Sequence, residues 1–363
     1  MRASVDRKAF LAALALASAR VDKRSTNPVL QQVLLTGHDG KLLVRAQDLN
    51  IAVTVEVSAD IQKGGGQTVD PGPLAKLLKE LDQERVSLET SDKFHLEVKA
   101  GKSRYRIAGL DARDFPRFPT QRAAGLDVPT PSLQRLIECT APTIAADEAK
   151  RPGLSSLYLR AVGGVQQATA TNGHALNRGA VEGVVSQKTI LVPRAAVLAL
   201  QGFLDSSQPI VKVAVEDLWM FAVQGSRTIA LKLHDPSIFP EAVDQLIQPP
   251  KGAVAEFDLL AFRAALRRVL TVVPEDRGVY MTLAGETMAL KAQEADGEGE
   301  EELPLSWTGP RMEFLISAGL VSRSIAPLIG KRCKLETQGD VLAPIIFRAD
   351  GDQAFTLVAP MRG

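Results

Sequence analysis

Among the four histidines of the chain, only His174 stands where it could support catalysis. It lies in the run Ala170-Thr-Asn-Gly-His-Ala-Leu176. A histidine that acts as a general base needs a nucleophile to activate and an acid that orients its ring. The sequence nominates neither partner. A hydrolase that uses His174 is therefore one interpretation, and a histidine that is packed or lines a binding groove is the other, which we favour.

Other catalytic and cofactor motifs are missing from the sequence. It contains no nucleophile elbow, no P-loop, no His-Glu-x-x-His pair and no paired-cysteine zinc pattern. The glycines Gly64–Gly66 are followed by Gln, Thr and Val, which favours a hairpin loop over a phosphate cradle. Cys139 and Cys333 are isolated, as expected of buried thiols in a reducing compartment. We therefore expect a binding protein without a metal ion or a cofactor.

Basic residues recur in and beside the predicted helices. A solvated helix face would explain any one group, but recurrence along the chain favours a shared positive surface. Such a surface would contact phosphates without reading bases, because nothing resembles a recognition helix. The candidates for DNA contact are Arg20, Lys23, Arg24, Arg194, Arg263 and Arg267, with Arg268, Arg323, Lys331 and Arg332 nearby.

Two predicted strands carry complementary charge. Lys102, Arg104 and Arg106 alternate in one strand, and Glu298, Glu300 and Glu302 alternate in another. The acidic run Gln293–Glu302 is either a solvated disordered loop or one side of an interface between two copies of the chain. Head-to-tail contacts of the second kind close rings when the rotation fits.

The elements that must position these residues are helices and short strands in alternation. With 363 residues, two or three domains are the usual expectation. No apolar run is long enough for a membrane span. The run Phe10–Ala19 fits an amphipathic helix better than a signal peptide, so we expect a cytoplasmic protein. Only 5% of residues are aromatic, which predicts largely aliphatic cores.

Helices are predicted in pairs with a period of about 125 residues. One set starts near Val5, Pro131 and Asp258, and the other near Pro73, Pro193 and Ser317. The intervening segments alternate apolar and polar residues between glycine-containing turns, as antiparallel hairpins do. The sequence therefore predicts an α+β fold.

An internal repeat sets the predicted domain plan. Gly101–Pro116 and Gly225–Pro240 share Gly, Asp, Phe and Pro at equal spacing, and Asp350–Gly363 is a weaker third copy. Repetition at this period predicts three similar domains. We place their boundaries in polar, proline-rich segments, which gives domains at residues 1–124, 125–250 and 251–363.

These features resemble the bacterial β sliding clamp, the processivity subunit of DNA polymerase III. The resemblance rests on Arg24–Leu30, Gly101–Pro116, Ala170–Leu176, Val192-Pro-Arg194, Asp235–Pro240, Thr308-Gly309 and Ala359–Gly363. It implies three clamp-type domains per chain and a head-to-tail dimeric ring around duplex DNA. It also implies a polymerase, a clamp loader and repair proteins as partners.

The resemblance further implies a hydrophobic pocket for short peptides that end in apolar residues. Matching positions are Arg151, Leu154, Thr171, Gly173, His174, Leu176, Pro240, Leu246, Val358, Pro360, Met361 and Arg362. A pliable methionine among aliphatic walls suits varied apolar anchors. For the dimer seam, Tyr105, Ile107 and Leu270 match positions that pack across subunits.

Four positions depart from the family pattern. Ala175 stands where Arg is common, Asp244 and Pro73 where basic residues are usual, and Gly363 where Leu is frequent. Peptide preference and the details of the seam are therefore left open. The alternative within the same class is a specialised second clamp with altered partners.

Overall fold

The computed structural model describes residues 1–91, 93–275, 277–294 and 297–362. Within these ranges, the elements follow one order three times: strand, helix, four strands, helix, three strands. This α+β arrangement with antiparallel pairing confirms the predicted fold class.

The elements of the first block begin at Arg2. They are β1 Arg2–Asp6, α1 Arg7–Ser18, β2 Val33–His38, β3 Lys41–Gln47, β4 Ile51–Lys63, β5 Gly65–Val69, α2 Pro71–Glu80, β6 Arg85–Thr90, β7 His95–Ala100 and β8 Ser103–Ala108. Asp6 and Asp70 accept hydrogen bonds from the first turns of α1 and α2, the usual role of an N-cap residue.

The second block repeats this order from Leu126. It contains β9 Leu126–Pro129, α3 Thr130–Thr140, β10 Ser156–Val162, β11 Val165–Thr171, β12 Ala175–Glu182, β13 Ile190–Pro193, α4 Arg194–Phe203, β14 Ile210–Glu216, β15 Trp219–Gln224 and β16 Arg227–Lys232. Helix α3 ends at Thr140, and a 3₁₀ turn follows at Ala141–Thr143.

The third block begins at Val254. It contains β17 Val254–Asp258, α5 Leu259–Val269, β18 Gly278–Ala284, β19 Thr287–Glu294, β20 Gly297–Pro304, β21 Met312–Ser317, α6 Ala318–Ile325, β22 Arg332–Glu336, β23 Ile345–Ala349 and β24 Phe355–Val358. Asp258 and Ser317 cap α5 and α6. No helix in the described ranges is long and apolar enough to cross a membrane.

The repeated motif has one geometry in its first two copies. Gly101 and Gly225 adopt φ of 59° and 60°, left-handed values that glycine adopts without steric cost. Asp111 and Asp235 each accept a backbone hydrogen bond of 2.9 Å at the start of a 3₁₀ turn. The phenylalanine that ends each turn, Phe115 or Phe239, is buried.

Contacts between residues group the chain into two compact units. Unit 1 comprises Met1–Thr130 and Leu198–Leu233, and unit 2 comprises Pro131–Val197 and His234–Gly363. The second block is thus divided between them, while the order of elements repeats three times. The division into three domains at residues 124 and 250 stays a prediction.

Each unit is built on continuous antiparallel sheets. In unit 1, β4 pairs with β16, which joins strands of the first two blocks into one sheet. In unit 2, β12 pairs with β24 in an eight-stranded sheet beside a four-stranded sheet of β18–β21. Most of the core is aliphatic, but in unit 2 Phe262 packs against Phe257 and Phe347, an aromatic group that composition did not predict.

Candidate functional site

The turn between β11 and β12 holds His174 at the surface. Asn172 Oδ1 accepts hydrogen bonds from the backbone N–H groups of His174 (3.0 Å) and Ala175 (2.9 Å). Thr171 Oγ1 donates to the carbonyl of Ala175 at 2.7 Å. Gly173 adopts φ of 90°, which a larger residue would adopt only with strain. These bonds fix an exposed His174 at the tip of the turn.

The C-terminal tail runs directly beside this turn. Ala175 pairs with Val358 in the sheet, and the Ala359 N–H donates to the His174 carbonyl at 2.8 Å. Further along, the Met361 N–H donates to the Leu315 carbonyl of β21 at 2.7 Å. The tail is therefore held by backbone bonds on both sides as far as Met361. Gly363, where the family pattern is broken, lies outside the described residues.

The tail and the turn line a cavity of about 840 Å³, which we call the tail cavity. Leu320, Pro360 and Met361 give it apolar surface, and an ion pair between Arg323 and Glu275 lies in its wall. Its full lining is Asn172, His174, Glu275, Ser317, Leu320, Arg323, Ala359, Pro360, Met361 and Arg362. Four of the predicted pocket residues, His174, Pro360, Met361 and Arg362, are thus brought together.

The same cavity bears on the hydrolase interpretation. Ser317 lines it, but the Ser317 hydroxyl donates to the Glu275 carbonyl (3.2 Å) and accepts from the Leu320 N–H (3.3 Å) as the cap of α6. Within the described ranges, no hydrogen bond joins the His174 ring to this hydroxyl. The geometry therefore offers a structural serine rather than a base–nucleophile pair.

The other predicted pocket residues do not line the tail cavity, and several of them are buried. A methyl group at Gly173 would lie 3.8 Å from Arg151 Nη1 and 3.9 Å from Leu154 Cδ1, so these three residues adjoin. Leu176 is 1% exposed and Val358 is 0% exposed. These two side chains therefore support the site from beneath and do not face solvent.

A short segment after Pro240 forms the remaining surface. Phe239 stacks on Tyr158 with ring centroids 4.5 Å apart. Val243, in the 3₁₀ segment Glu241–Leu246, joins a buried cluster with Phe239 and Leu176. Pro240 is half-buried, while Leu246 is 48% exposed. Pro240 lines a separate cavity of about 450 Å³. The sequence did not identify Tyr158, Val243 or Leu320 as site residues. The available signal was Phe239 of the repeated motif, which packs with Tyr158 and Val243.

Asp244 binds two arginines at this second cavity. Its oxygens lie 2.6 Å from Arg160 Nη1 and 2.5 Å from Arg178 Nη2. Partial burial acts to raise the pKa of Asp244, but hydrogen bonds from the two guanidinium groups outweigh it and lower the pKa below its usual value. The carboxylate therefore stays ionised near neutral pH, and it occupies the position where the family pattern has a basic residue.

The two strands of the predicted seam both lie at sheet edges. Strand β8 ends the sheet of unit 1, and β20 ends the four-stranded sheet. Lys102, Arg104, Tyr105 and Arg106 are exposed, whereas Ile107 and Leu270 are half-buried. Arg104 pairs with Glu97 within the chain at 2.6 Å. Edge strands leave one row of backbone groups free for another chain.

The described part of the acidic run lies in strands β19 and β20, so the loop interpretation was wrong for that part. In β20, Glu298, Glu300 and Glu302 are exposed on one face, as the alternation predicted. Glu300 pairs with Lys291 at 2.7 Å. Ala295 and Asp296, also within the run, lie outside the described residues.

The basic candidates fall into two groups. Arg20, Lys23, Arg24 and Arg267 have no side-chain partner within the described ranges. In contrast, Arg194 donates to the Ile144 carbonyl at 3.1 Å, and Arg263 donates to the carbonyls of Ile325, Ala326 and Leu328 at the end of α6. The guanidinium groups of these two arginines are committed to holding the fold.

A basic groove in unit 1 was missed at the sequence level. It has a volume of about 610 Å³, lies between α1 and α2, and is lined by Lys23, Lys76 and Lys79. Lys76 and Lys79 lie one turn apart on the exposed face of α2. The i, i+3 spacing of these two lysines was the signal available in the sequence. Within the described residues, no cluster suited to a metal ion occurs.

Comparison with known proteins extends along the whole chain. Residues 1–119 match the family model described as DNA polymerase III beta subunit, N-terminal domain. The beta sliding clamp of Pseudomonas putida is 26% identical over 373 residues, covering 100% of both chains. That of Caulobacter vibrioides is 28% identical, covering 88% of each. The crystal structure of the C. crescentus beta sliding clamp superposes with a TM-score of 0.93 at 25% identity, covering 100% of both chains. These findings confirm the resemblance.

Proposed function

We infer that this chain, a relative of the bacterial β sliding clamps from end to end, is itself a DNA sliding clamp that tethers a polymerase for processive synthesis. The observation that carries this conclusion is the superposition on a solved clamp over 100% of both chains. A match to one domain alone would not indicate how the whole chain is arranged. A match of all three blocks in order supports the same architecture. Partner proteins are the polymerase, the clamp loader and repair proteins.

We propose that two chains close head to tail into a ring of six similar domains. The threefold order of elements supports three domains per chain. The basic edge strand β8 and the acidic edge strand β20 are complementary, as a heterologous interface requires. Tyr105, 41% exposed, offers apolar area at the same edge. Ring closure would also cover two strand edges that would otherwise invite aggregation.

DNA would be held weakly and without sequence preference. Among the described residues of unit 1, Lys23, Lys76 and Lys79 line the basic groove, Arg24 is exposed and Arg20 is half-buried. They can neutralise phosphates, and such contacts are mobile and sensitive to salt. Retention would then come from enclosure of the duplex rather than from affinity. Since no nucleotide-binding motif occurs in the sequence, opening the ring would require a separate ATP-driven loader, and the protein would act in the cytoplasm at the nucleoid.

Partner peptides would dock at a peptide site that comprises the tail cavity and the second cavity, which is lined by Tyr158, Pro240 and Val243. Pro360, Met361 and Leu320 provide apolar contacts, and His174 and Arg362 provide polar ones. Apolar anchors that enter a pocket of this kind carry most of the binding energy of a short peptide.

A primer-extension assay tests the function. With the cognate polymerase and loader on primed circular DNA, addition of the protein should lengthen products made in a single binding event at least about tenfold, because dissociated polymerase stays tethered. The control reaction omits the loader, so that the ring cannot be placed on DNA. Products of equal length with and without the protein would contradict a processivity function.

A further inference from the structure

The Asp244 carboxylate ties the segment Glu241–Leu246 to the eight-stranded sheet. Arg160 on β10 and Arg178 on β12 reach it from strands separated by β11. Arg160 contacts Gln167 Oε1 at 3.3 Å, and Arg178 Nε donates to Thr169 Oγ1 at 2.9 Å. The Arg178 side chain is only 12% exposed. Contacts within the sheet therefore hold both guanidinium groups in position independently of the Asp244 carboxylate.

The segment has few other attachments. Val243 packs into the buried cluster of Phe239, Leu176 and Leu357. The backbone bonds of Val243 and Ile247 stay inside the segment, with acceptors at Pro240 and Asp244. Across the described residues, the polar link from Glu241–Leu246 to the sheet is the pair of ion pairs at Asp244. Leu246 at its end is largely exposed.

We propose that Asp244 is a positioning residue that holds the Pro240–Leu246 segment as one wall of the peptide site and thereby sets the affinity for partner peptides. The proposal rests on the proposed function, because it concerns the same peptide site. A segment that is already ordered in the free protein loses little conformational entropy when a peptide binds. The peptide therefore binds more tightly than it would to a disordered segment. Without the carboxylate, Arg160 and Arg178 are left as adjacent cations without a counter-ion, and the segment is held only by the packing of Val243 and of Ile247, the residue that follows it.

The test is a set of variants of the full-length protein, titrated with a short fluorescent peptide that ends in Leu-Phe. Asp244→Asn should raise the dissociation constant about fivefold, and Asp244→Lys should raise it further by adding a third cation. Asp244→Glu should recover part of the loss. In Asp244→Asn, hydrogen exchange should accelerate for the amides of residues 241–247 and not elsewhere. A general loss of stability would instead accelerate exchange across the whole protein.

Glu336→Gln is the matched control. It removes a carboxylate that pairs with Arg348 at 3.0 Å on the same sheet and touches no residue of the segment. Peptide binding by this variant should stay within about twofold of wild type. An unchanged affinity in Asp244→Asn, or an equal loss in Glu336→Gln, would overturn the proposal. Absence of peptide binding by the wild type would instead count against the peptide site itself.

Discussion

Replacing Lys102, Arg104 and Arg106 by glutamate should convert the proposed dimer into monomers. Strand β8 and Lys102, which lies in the turn just before it, would then present carboxylates to the exposed Glu298, Glu300 and Glu302 of β20 in the partner copy. Both strands lie at sheet edges with these side chains exposed. Like charges at an interface cost several kcal/mol, so the dissociation constant of the dimer should rise at least about 100-fold. Light scattering reports the mass directly.

The compensating variant is the control for the seam. Adding Glu298→Lys, Glu300→Lys and Glu302→Lys to the reversed chain restores opposite charges and should restore the dimer mass. Arg104 also pairs with Glu97 inside the chain, so circular dichroism should accompany each measurement. A reversed triple variant that folds and keeps the dimer mass would show that the seam lies elsewhere.

Met361→Ala should weaken binding of partner peptides by more than about 1 kcal/mol, the usual effect of truncating an apolar anchor contact. Met361 lines the tail cavity with Pro360 and Leu320, and its backbone is fixed by the Leu315 carbonyl. The side chain can therefore be shortened without releasing the tail. Isothermal titration with a peptide that ends in Leu-Phe measures the change.

Leu342→Ala serves as the control because Leu342 is 60% exposed and lies outside the lining of the tail cavity. Leu176→Ala is unsuitable for this purpose. Leu176 is 1% exposed, and removing such a side chain costs about 2–5 kcal/mol of folding stability. Titration curves that coincide for wild type and Met361→Ala would exclude Met361 from the site.

Local patterns in the sequence predicted the elements well. The 3.6-residue periodicity located all six described helices, because each buries one apolar stripe against a sheet. The repeated Gly, Asp, Phe and Pro gave the motif its geometry, because left-handed turns and 3₁₀ caps depend on nearby residues. Alternating charge in β20 likewise predicted which side chains are exposed, whereas in β8 Ser103 and Tyr105 are exposed as well as Arg104 and Arg106.

Long-range pairing could not be predicted in the same way. The contact of β4 with β16 joins residues about 175 positions apart, and nothing in either strand specifies the other. The same limit applies to side chains. Arg263 looked like a free cation on a helix, but it donates to carbonyls at the end of α6, and Asp244 looked like a departure until two arginines from other strands surrounded it.

Retention on circular and linear DNA tests enclosure of the duplex most directly. The protein is loaded onto nicked circular DNA, free protein is removed by gel filtration, and half of the sample is linearised with a restriction enzyme. A ring that slides should remain on the circles at moderate salt and leave the linear molecules through their ends. Equal retention on circular and linear DNA would contradict a sliding clamp and indicate ordinary binding by affinity.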